Sequence, residues 1–182
     1  NPSGVMTRLA ATTTAVTDGT YTAAFLGDGL NSTYFVSTSG ALLAPGYEAT
    51  RVQVDLRQPA EYLIIAHPDF IAGLAPLVAA RQAQFRVSVV DVTDLYTQYT
   101  YGVFDPQAIK QYIQYAAQNL GTKYVLLVGG DTYDYRNYLG RNSISFIPSL
   151  YASTGTMVKF APVDPMYTDL NSDNIPDLAI GR

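Results

Sequence analysis

Short alternating runs of apolar and polar residues, separated by turn residues, fill the first 57 positions. Alternation at every second residue is typical of a half-buried strand. Three runs therefore predict β-strands, at 21–26, 33–38 and 51–56. The first 20 residues indicate a frayed lead-in or an edge strand, and no helical pattern of useful length is present. Residues 1–57 are thus predicted to be a β-rich lead-in segment.

From position 58 the pattern changes to strands that alternate with helices. Continuous apolar runs predict three buried strands, at 61–66, 86–92 and 123–128. Apolar residues at helical spacing predict two helices between these strands, at 68–84 and 106–120. This alternation is typical of a parallel sheet with helices on its faces. We therefore predict an α/β fold for residues 58–182, in which a parallel sheet is flanked by helices and preceded by the β-rich segment.

The second predicted helix has well-defined ends. Asp105 and Pro106 mark its start, because aspartate is favoured at the N-cap and proline at the first helical position. Gly121 marks its end, because glycine is favoured just beyond a helix C-terminus. After Asp131 the pattern weakens into a tyrosine-rich loop. Only short strands are predicted there, around Phe146, at 149–151 and at 177–180.

Right-handed crossovers place the carboxyl ends of parallel strands along one edge, where ligands bind in open α/β sheets. His67 follows the first buried strand, residues 91–94 follow the second, and residues 129–131 follow the third. His67 is the only histidine, and it is a candidate general base or a cap of the next helix. Because no G-x-S-x-G elbow accompanies it, the capping interpretation is favoured, and we expect no catalytic residue in this chain.

The Gly129-Gly130-Asp131 segment invites comparison with a phosphate-binding loop. Neither the G-x-G-x-x-G nor the G-x-x-x-x-G-K-[ST] spacing is present. The glycines are better explained by a tight exit from the strand, and no organic cofactor is expected. A small-ligand site at the Asp131 edge stays open as a weaker hypothesis.

Residues 169–177 carry the most specific motif, Asp-x-Asn-x-Asp-Asn-x-x-Asp. In a calcium loop, oxygen ligands come from positions 1, 3, 5 and 9 and from the backbone carbonyl at position 7. The candidate metal ligands are Asp169, Asn171, Asp173, the Ile175 carbonyl and Asp177. Asn174 stands where glycine is usual, and Ile180 replaces the position-12 glutamate of an EF-hand. We predict a short structural Ca²⁺ loop, with a polar turn between strands as the open alternative.

Composition excludes several classes of protein. The 182 residues have a formal net charge of −4 and only 14% charged residues, so the basic stripe that a nucleic-acid groove requires is missing. The apolar runs are too short to span a bilayer. Because the chain has no cysteine, it has no disulfide scaffold, thiolate metal site or cysteine nucleophile of its own. A threonine-, serine- and tyrosine-rich chain that is poor in lysine and glutamate suits an extracellular or cell-surface protein.

Five successive blocks stand out within residues 58–182, namely AEYLIIAHPDF, RVSVVDVTDLYTQYTYGVFDPQAIKQYIQYA, KYVLLVGGD, IPSLYA and VDPMYTDLNSDNIPDLAIGR. Together they resemble the gingipain-type cysteine peptidases. Their order and spacing make the resemblance specific. The chain departs from the family at Gly129-Gly130-Asp131, where a single glycine is usual. It departs again at 164–167, where a polar residue tends to follow the aspartate.

The resemblance implies a caspase-like fold of two α/β subdomains, of which the second holds the catalytic histidine and cysteine. This chain resembles the first subdomain only, so those two residues would lie beyond Arg182. The resemblance thus implies the N-terminal, non-catalytic half of a secreted, bacterial-type cysteine endopeptidase. The parent protein would hydrolyse peptide bonds in protein and peptide substrates, and this segment would be inactive alone.

A subdomain separated from its partner exposes an apolar flank. We therefore expect this chain to bind a C-terminal catalytic subdomain or to self-associate through that flank. The alternative hypothesis is a non-catalytic binding or structural α/β module of a secreted multidomain protein. A Gly-His-Gly block and a later cysteine in the next domain's length of about 150 residues would favour the peptidase.

Overall fold

The computed structural model describes residues 8–27, 33–44, 46 and 51–182. Contacts between residues divide the chain into two compact units, Asn1–Ala49 and Thr50–Arg182. The boundary predicted at 57/58, between the β-rich segment and the α/β subdomain, stays a prediction. None of the helices in the described part of the chain combines the length and the apolar character that a membrane crossing needs.

The first unit contains an antiparallel strand pair. Strand β1 (Ala11–Ala15) pairs with β2 (Tyr21–Phe25), and a 3₁₀ turn follows at Ser39–Ala41. These strands confirm the prediction at 21–26 and the edge-strand interpretation of the first residues. The strand predicted at 33–38 is wrong, because that segment pairs with no other described strand and most of its side chains are exposed.

The second unit is built on a parallel sheet with helices on both faces. Its elements are β3 (Tyr62–Ala66), α1 (Pro68–Ile71), α2 (Ala75–Gln82), β4 (Val87–Asp91), α3 (Val92–Tyr99), α4 (Pro106–Asn119), β5 (Tyr124–Val128), β6 (Tyr151–Ala152), β7 (Ala161–Pro162) and β8 (Ala179–Gly181). The sheet has the order β4-β3-β5-β8 with every neighbour parallel. The pair β6-β7 is antiparallel. This architecture confirms the predicted α/β fold class.

Strand β3 is central, and its side chains are buried on both faces. Leu63 and Ile65 join the larger core cluster, which also contains the apolar stripes of α3 and α4. Ile64 and Ala66 point to the opposite face and pack in a smaller cluster with Leu74. A continuous apolar run is what burial on both faces requires.

Helix α4 begins and ends as predicted. The Asp105 carboxylate accepts a hydrogen bond from the Gln107 amide at 2.8 Å, and Pro106 occupies the first turn. Gly121 follows the helix with φ +79°, a left-handed conformation in which glycine avoids a Cβ clash.

The predicted helix at 68–84 is interrupted. A 3₁₀ turn at Ala72–Leu74 separates α1 from α2. Pro76 lies in the first turn of α2 and has no N–H to donate to a carbonyl one turn earlier. The apolar spacing that crosses this proline therefore overestimated the length of a single helix.

Helix α3 was not predicted from the sequence, in which residues 91–94 only follow the second buried strand at the edge of the sheet. The Asp91 carboxylate accepts from the Thr93 amide at 2.8 Å and from the Thr93 hydroxyl at 2.6 Å, which caps the helix. Val92, Leu95 and Tyr96 are buried at helical spacing. An aspartate at the end of a strand, followed by this spacing, is the signal that could have found the helix.

The strand predicted at 51–56 is also wrong. The Gln98 side-chain amide donates to the Val54 carbonyl at 2.8 Å, and the Tyr112 hydroxyl donates to the Leu56 carbonyl at 3.0 Å. Side chains of α3 and α4 therefore satisfy carbonyls that a neighbouring strand would otherwise have paired. The alternating pattern at 51–56 therefore marks an extended segment in which Leu56 is buried.

The short strands predicted after Asp131 are confirmed only in part. Strand β6 overlaps the prediction at 149–151, and β8 overlaps the one at 177–180. Phe146 is in no strand, because its amide and that of Ile147 both donate to the single Gly130 carbonyl. This turn brings residues 145–149 back to the end of β5.

Gly129 provides a direct test of how closely these segments pack. Its φ is +145°, and an added Cβ would lie 2.8 Å from the Phe146 Cβ and 2.9 Å from the Ile147 Cγ1. We predict that Gly129→Ala lowers the free energy of unfolding by on the order of 3 kcal/mol, from backbone strain and overpacking together. Urea denaturation measures the change.

Gly130→Ala is the matched control, because a Cβ at Gly130 meets nothing within 4 Å. Its free energy of unfolding should stay within about 1 kcal/mol of the unmutated value. Equal effects of the two substitutions would contradict the close packing at Gly129.

Candidate functional site

The carboxyl edge of the parallel sheet gathers the polar residues that the sequence analysis placed there. His67 follows β3, Asp91 ends β4, and Asp131 lies just beyond β5. Arg182 follows β8 and joins the same edge, although the sequence analysis gave it no role. Its partners lie between 18 and 53 residues away along the chain, so no local motif reveals them.

His67 acts as a helix cap. Its Nδ1 accepts a hydrogen bond from the Asp69 amide at 3.3 Å, and its backbone amide donates to the Val128 carbonyl at 3.0 Å. The ring packs edge-on against Phe146, with 4.9 Å between ring centroids. These are the contacts that the capping interpretation predicts, and Nδ1 is engaged with backbone.

At the end of β4, two carboxylates share one arginine. The Arg51 guanidinium lies 3.3 Å from an Asp91 oxygen and 3.7 Å from an Asp94 oxygen, and it also donates to the Thr93 hydroxyl. Burial, together with the neighbouring Asp91 charge, raises the pKa of Asp94 above its ordinary value, although Arg51 opposes the shift. All of these contacts lie at the N-terminal end of α3.

Asp131 is the hydrogen-bonding centre of the edge. One of its oxygens accepts from the Thr132 amide at 2.7 Å and the Ser145 hydroxyl at 2.5 Å. The other accepts from the Ser149 amide at 2.8 Å and the Tyr151 hydroxyl at 2.6 Å. Burial opposes ionisation, but these four hydrogen bonds outweigh it and hold the pKa of Asp131 below its ordinary value. Asp131 is therefore a carboxylate that ties the loop at 145–151 to β5.

Arg182 clamps the same loop from the other side. Its Nε and Nη2 form a bidentate pair with the Asp164 carboxylate, both at 2.8 Å. Its Nη1 donates to the carbonyls of Gly129 at 2.8 Å and Ile147 at 2.7 Å. Nη2 also contacts the Pro148 carbonyl at 3.2 Å. The planar guanidinium can satisfy several fixed acceptors at once, which a lysine ammonium cannot do in this geometry.

An aromatic cavity of about 440 Å³ opens beside Asp131. Five aromatic side chains line it, namely Phe104, Tyr133, Tyr135, Tyr151 and Phe160. The carboxylate-bearing residues Asp105 and Asp131 also line it. The cavity lies at the sheet edge where the sequence analysis left open a small-ligand site.

The predicted calcium loop forms a compact turn. Its Asp169 oxygens accept from the amides of Asp173 at 3.2 Å and Asn174 at 3.1 Å. The Asp173 carboxylate accepts from the Ile175 amide at 2.8 Å, and Asp177 accepts from the Leu170 amide at 2.8 Å.

The remaining candidate ligands follow the same arrangement. The Asn171 side-chain oxygen accepts from the Asp173 amide at 2.9 Å, and Asn174 supplies a positive φ of 68° where the motif requires a tight turn. Within the described ranges, no group of three or more acidic or histidine side chains is placed to hold a metal ion. The loop's oxygens instead cap its own amides, which fits the polar-turn alternative, and the Ca²⁺ loop stays a prediction.

Comparison with models of protein families shows to which family the second unit is similar. A model of peptidase family C25, the gingipain family, matches residues 55–182. The chain belongs to peptidase family C25. This membership confirms the resemblance seen in the sequence, and the family is one of cysteine peptidases, which are hydrolases. A comparison with curated proteins finds no match.

The fold is similar to that of a protein of known structure. The crystal structure of dimeric latent PorU from Porphyromonas gingivalis superposes with a TM-score of 0.52 and 18% sequence identity. The match covers 69% of this chain and 14% of the PorU chain. The likeness supports the caspase-like α/β architecture, and this chain spans only a small part of PorU's length.

The hydrogen bonds of Asp131 have a testable pH dependence. Since its folded pKa lies below the unfolded value of about 3.9, Asp131 stabilises the fold above that pH and loses this contribution as the pH falls through the folded pKa. Asp131→Asn should therefore lower the free energy of unfolding at pH 7 by about 2–4 kcal/mol and flatten its acid dependence. Urea denaturation at several pH values measures both effects.

Asp94→Asn is the matched control with the opposite sign. The folded pKa of Asp94 is raised, so its ionisation costs stability as the pH rises through the unfolded and then the folded value. Replacement of Asp94 by asparagine should remove that cost and leave the loss of stability at low pH unchanged. If Asp131→Asn lost as much stability at low pH as the unmutated protein does, the account of Asp131 would be contradicted.

The calcium prediction is tested by thermal melting. If residues 169–177 bind Ca²⁺, a hundredfold excess over the dissociation constant should stabilise the fold by about 2.7 kcal/mol through mass action. Asp173→Ala should abolish the shift, because it removes the position-5 ligand. The absence of any calcium-dependent shift in the unmutated protein would overturn the prediction, and Mg²⁺ serves as the control ion.

Proposed function

We propose that this chain is the N-terminal, non-catalytic half of a secreted gingipain-like cysteine endopeptidase, located outside the cell or at its surface. The catalytic cysteine and histidine would come from residues that follow position 182 in the parent protein. This half would contribute the parallel sheet and the ordered edge formed by Asp131 and Arg182.

One observation carries the proposal: a cysteine peptidase family matches residues 55–182 of a chain that has no cysteine. Its single histidine, His67, uses Nδ1 to cap a helix. Family chemistry requires a thiolate that attacks the peptide carbonyl and a histidine that transfers the proton to the leaving amine. The chain therefore needs a second segment before it can take part in peptide hydrolysis.

Activity assays with two proteins of different length test the proposal. The chain alone should hydrolyse no peptide in a mixed-sequence fluorogenic library. The same chain, extended through the next domain of its gene, should hydrolyse peptides and lose that activity on alkylation of its cysteine. Replacement of the downstream cysteine by alanine in the extended protein is the matched control, since it leaves this half unchanged.

Two outcomes would contradict the proposal. Turnover by the pure chain that survives His67→Ala would show that this half has its own catalytic site. An extended protein that folds but has no alkylation-sensitive activity would favour the alternative, a non-catalytic binding or structural module.

We further propose that an apolar sheet face forms the contact with the rest of the parent protein. On the face that packs against α1 and α2, Val89, Leu126 and Val128 are only partly buried. Tyr124 on the same side is 38% exposed. In the absence of the following subdomain, a second copy of the chain would cover this face. The PorU structure is that of a dimer.

Sedimentation analysis tests this contact. The chain alone should self-associate, and Tyr124→Arg should weaken the association because it places a charge on the apolar face. Tyr101→Arg is the control, since Tyr101 is 99% exposed and lies outside that face. A strictly monomeric chain, or equal weakening by both variants, would contradict the proposed surface.

A further inference from the structure

Four of the five aromatic rings that line the cavity beside Asp131 form two pairs. The rings of Phe104 and Tyr135 are nearly parallel, with 6.2 Å between centroids and 10° between planes. The rings of Tyr133 and Tyr151 lie 5.2 Å apart and are tilted by 38°. Phe160 completes the wall, and the Tyr133 hydroxyl donates to its carbonyl at 2.9 Å. Aromatic ring faces carry a negative quadrupole, so a ring face that is open to the cavity attracts cations.

The charged side chains that line the cavity are also negative. Asp105 and Asp131 line it, and among the described residues no lysine, arginine or histidine does. The nearby Arg182 is paired with Asp164, and Arg136 stacks on the Tyr135 ring at 5.4 Å without lining the cavity. The start of α4 contributes only about half a positive charge. Two carboxylates therefore leave the cavity electronegative.

The number of free hydrogen-bond acceptors in the cavity limits which type of cation it can bind. A carboxylate offers about four lone-pair positions, and Asp131 already accepts four hydrogen bonds. One Asp105 oxygen accepts from the Gln107 amide. The hydroxyl groups of Tyr133 and Tyr151 donate their protons to the Phe160 carbonyl and to Asp131, so their oxygens remain only as uncharged acceptors. The cavity thus offers negative charge and ring faces but few free acceptors.

We propose that this cavity binds a quaternary ammonium group of a small organic cation. A primary ammonium or a guanidinium would lose its water and leave N–H groups without acceptors, which is costly. A quaternary ammonium has no N–H, so it can exchange water for ring faces and carboxylate charge. This binding site is separate from the proposed peptidase function and does not depend on it.

Three ligands of similar size test the proposal with the purified protein. Choline carries the quaternary ammonium, ethanolamine is its unmethylated counterpart, and 3,3-dimethyl-1-butanol is its neutral counterpart. Titrations followed by tyrosine ring shifts in NMR spectra should give choline a dissociation constant about tenfold below those of the other two. The shifts should concentrate on Tyr133, Tyr135 and Tyr151.

Two substitutions locate the site. Asp105→Asn removes a cavity charge but keeps a good N-cap residue, and it should weaken choline binding several-fold. Tyr135→Leu should weaken it by a similar factor through loss of a ring face. Asp69→Asn is the matched control for charge, since Asp69 lies in the first turn of α1 and does not line the cavity. Choline binding should be unchanged in that variant.

Each other outcome overturns the proposal. Equal affinity for choline and the neutral alcohol would indicate an apolar pocket without charge recognition. Equal affinity for choline and ethanolamine would indicate a general cation site. Absence of saturable choline binding by the folded protein, or equal weakening by Asp69→Asn, would show that the cavity is not a quaternary ammonium site.

Discussion

The carboxyl edge of this sheet depends on the contacts of one guanidinium. Arg182 lies at the end of the last strand and holds the Asp164 carboxylate through two hydrogen bonds of 2.8 Å. It also reaches the carbonyls of Gly129 and Ile147, which belong to two other segments. A single side chain thus joins the end of β5, the loop at 145–149 and the turn at 164–167. Without it those carbonyls would need other donors, because a partly buried polar group is costly when unpaired.

Asp131 completes this arrangement from the β5 side. Its four donors come from residues spread between positions 132 and 151, so one ionised carboxylate shapes a loop of about twenty residues. Gly129 permits the loop to approach, since a Cβ there would meet Phe146 and Ile147. The aromatic cavity owes its position to the same residues.

The sequence was most informative where the determinants are local. The apolar runs of β3 and β5 and the Asp105-Pro106 start of α4 each lie within a few residues, and they appear in the structure nearly as predicted. Predictions failed where distant side chains decide the outcome. The segment at 51–56 is held by Gln98 and Tyr112, and its pattern alone resembles a strand. The partners of Asp131 and Arg182 are equally distant, so the sequence pointed to the edge but not to its network.

Native-state hydrogen exchange at the carboxyl edge tests this account most directly. The amides of Phe146, Ile147 and Ser149 belong to a loop, yet they donate to Gly130 and Asp131. If Arg182 and Asp131 make the edge part of the core, these amides should exchange with protection close to that of β3 and β5. Arg182→Lys should remove most of that protection while the β3 amides stay protected. Exchange as fast as that of the exposed loop at 153–159 in the unmutated protein would contradict the account.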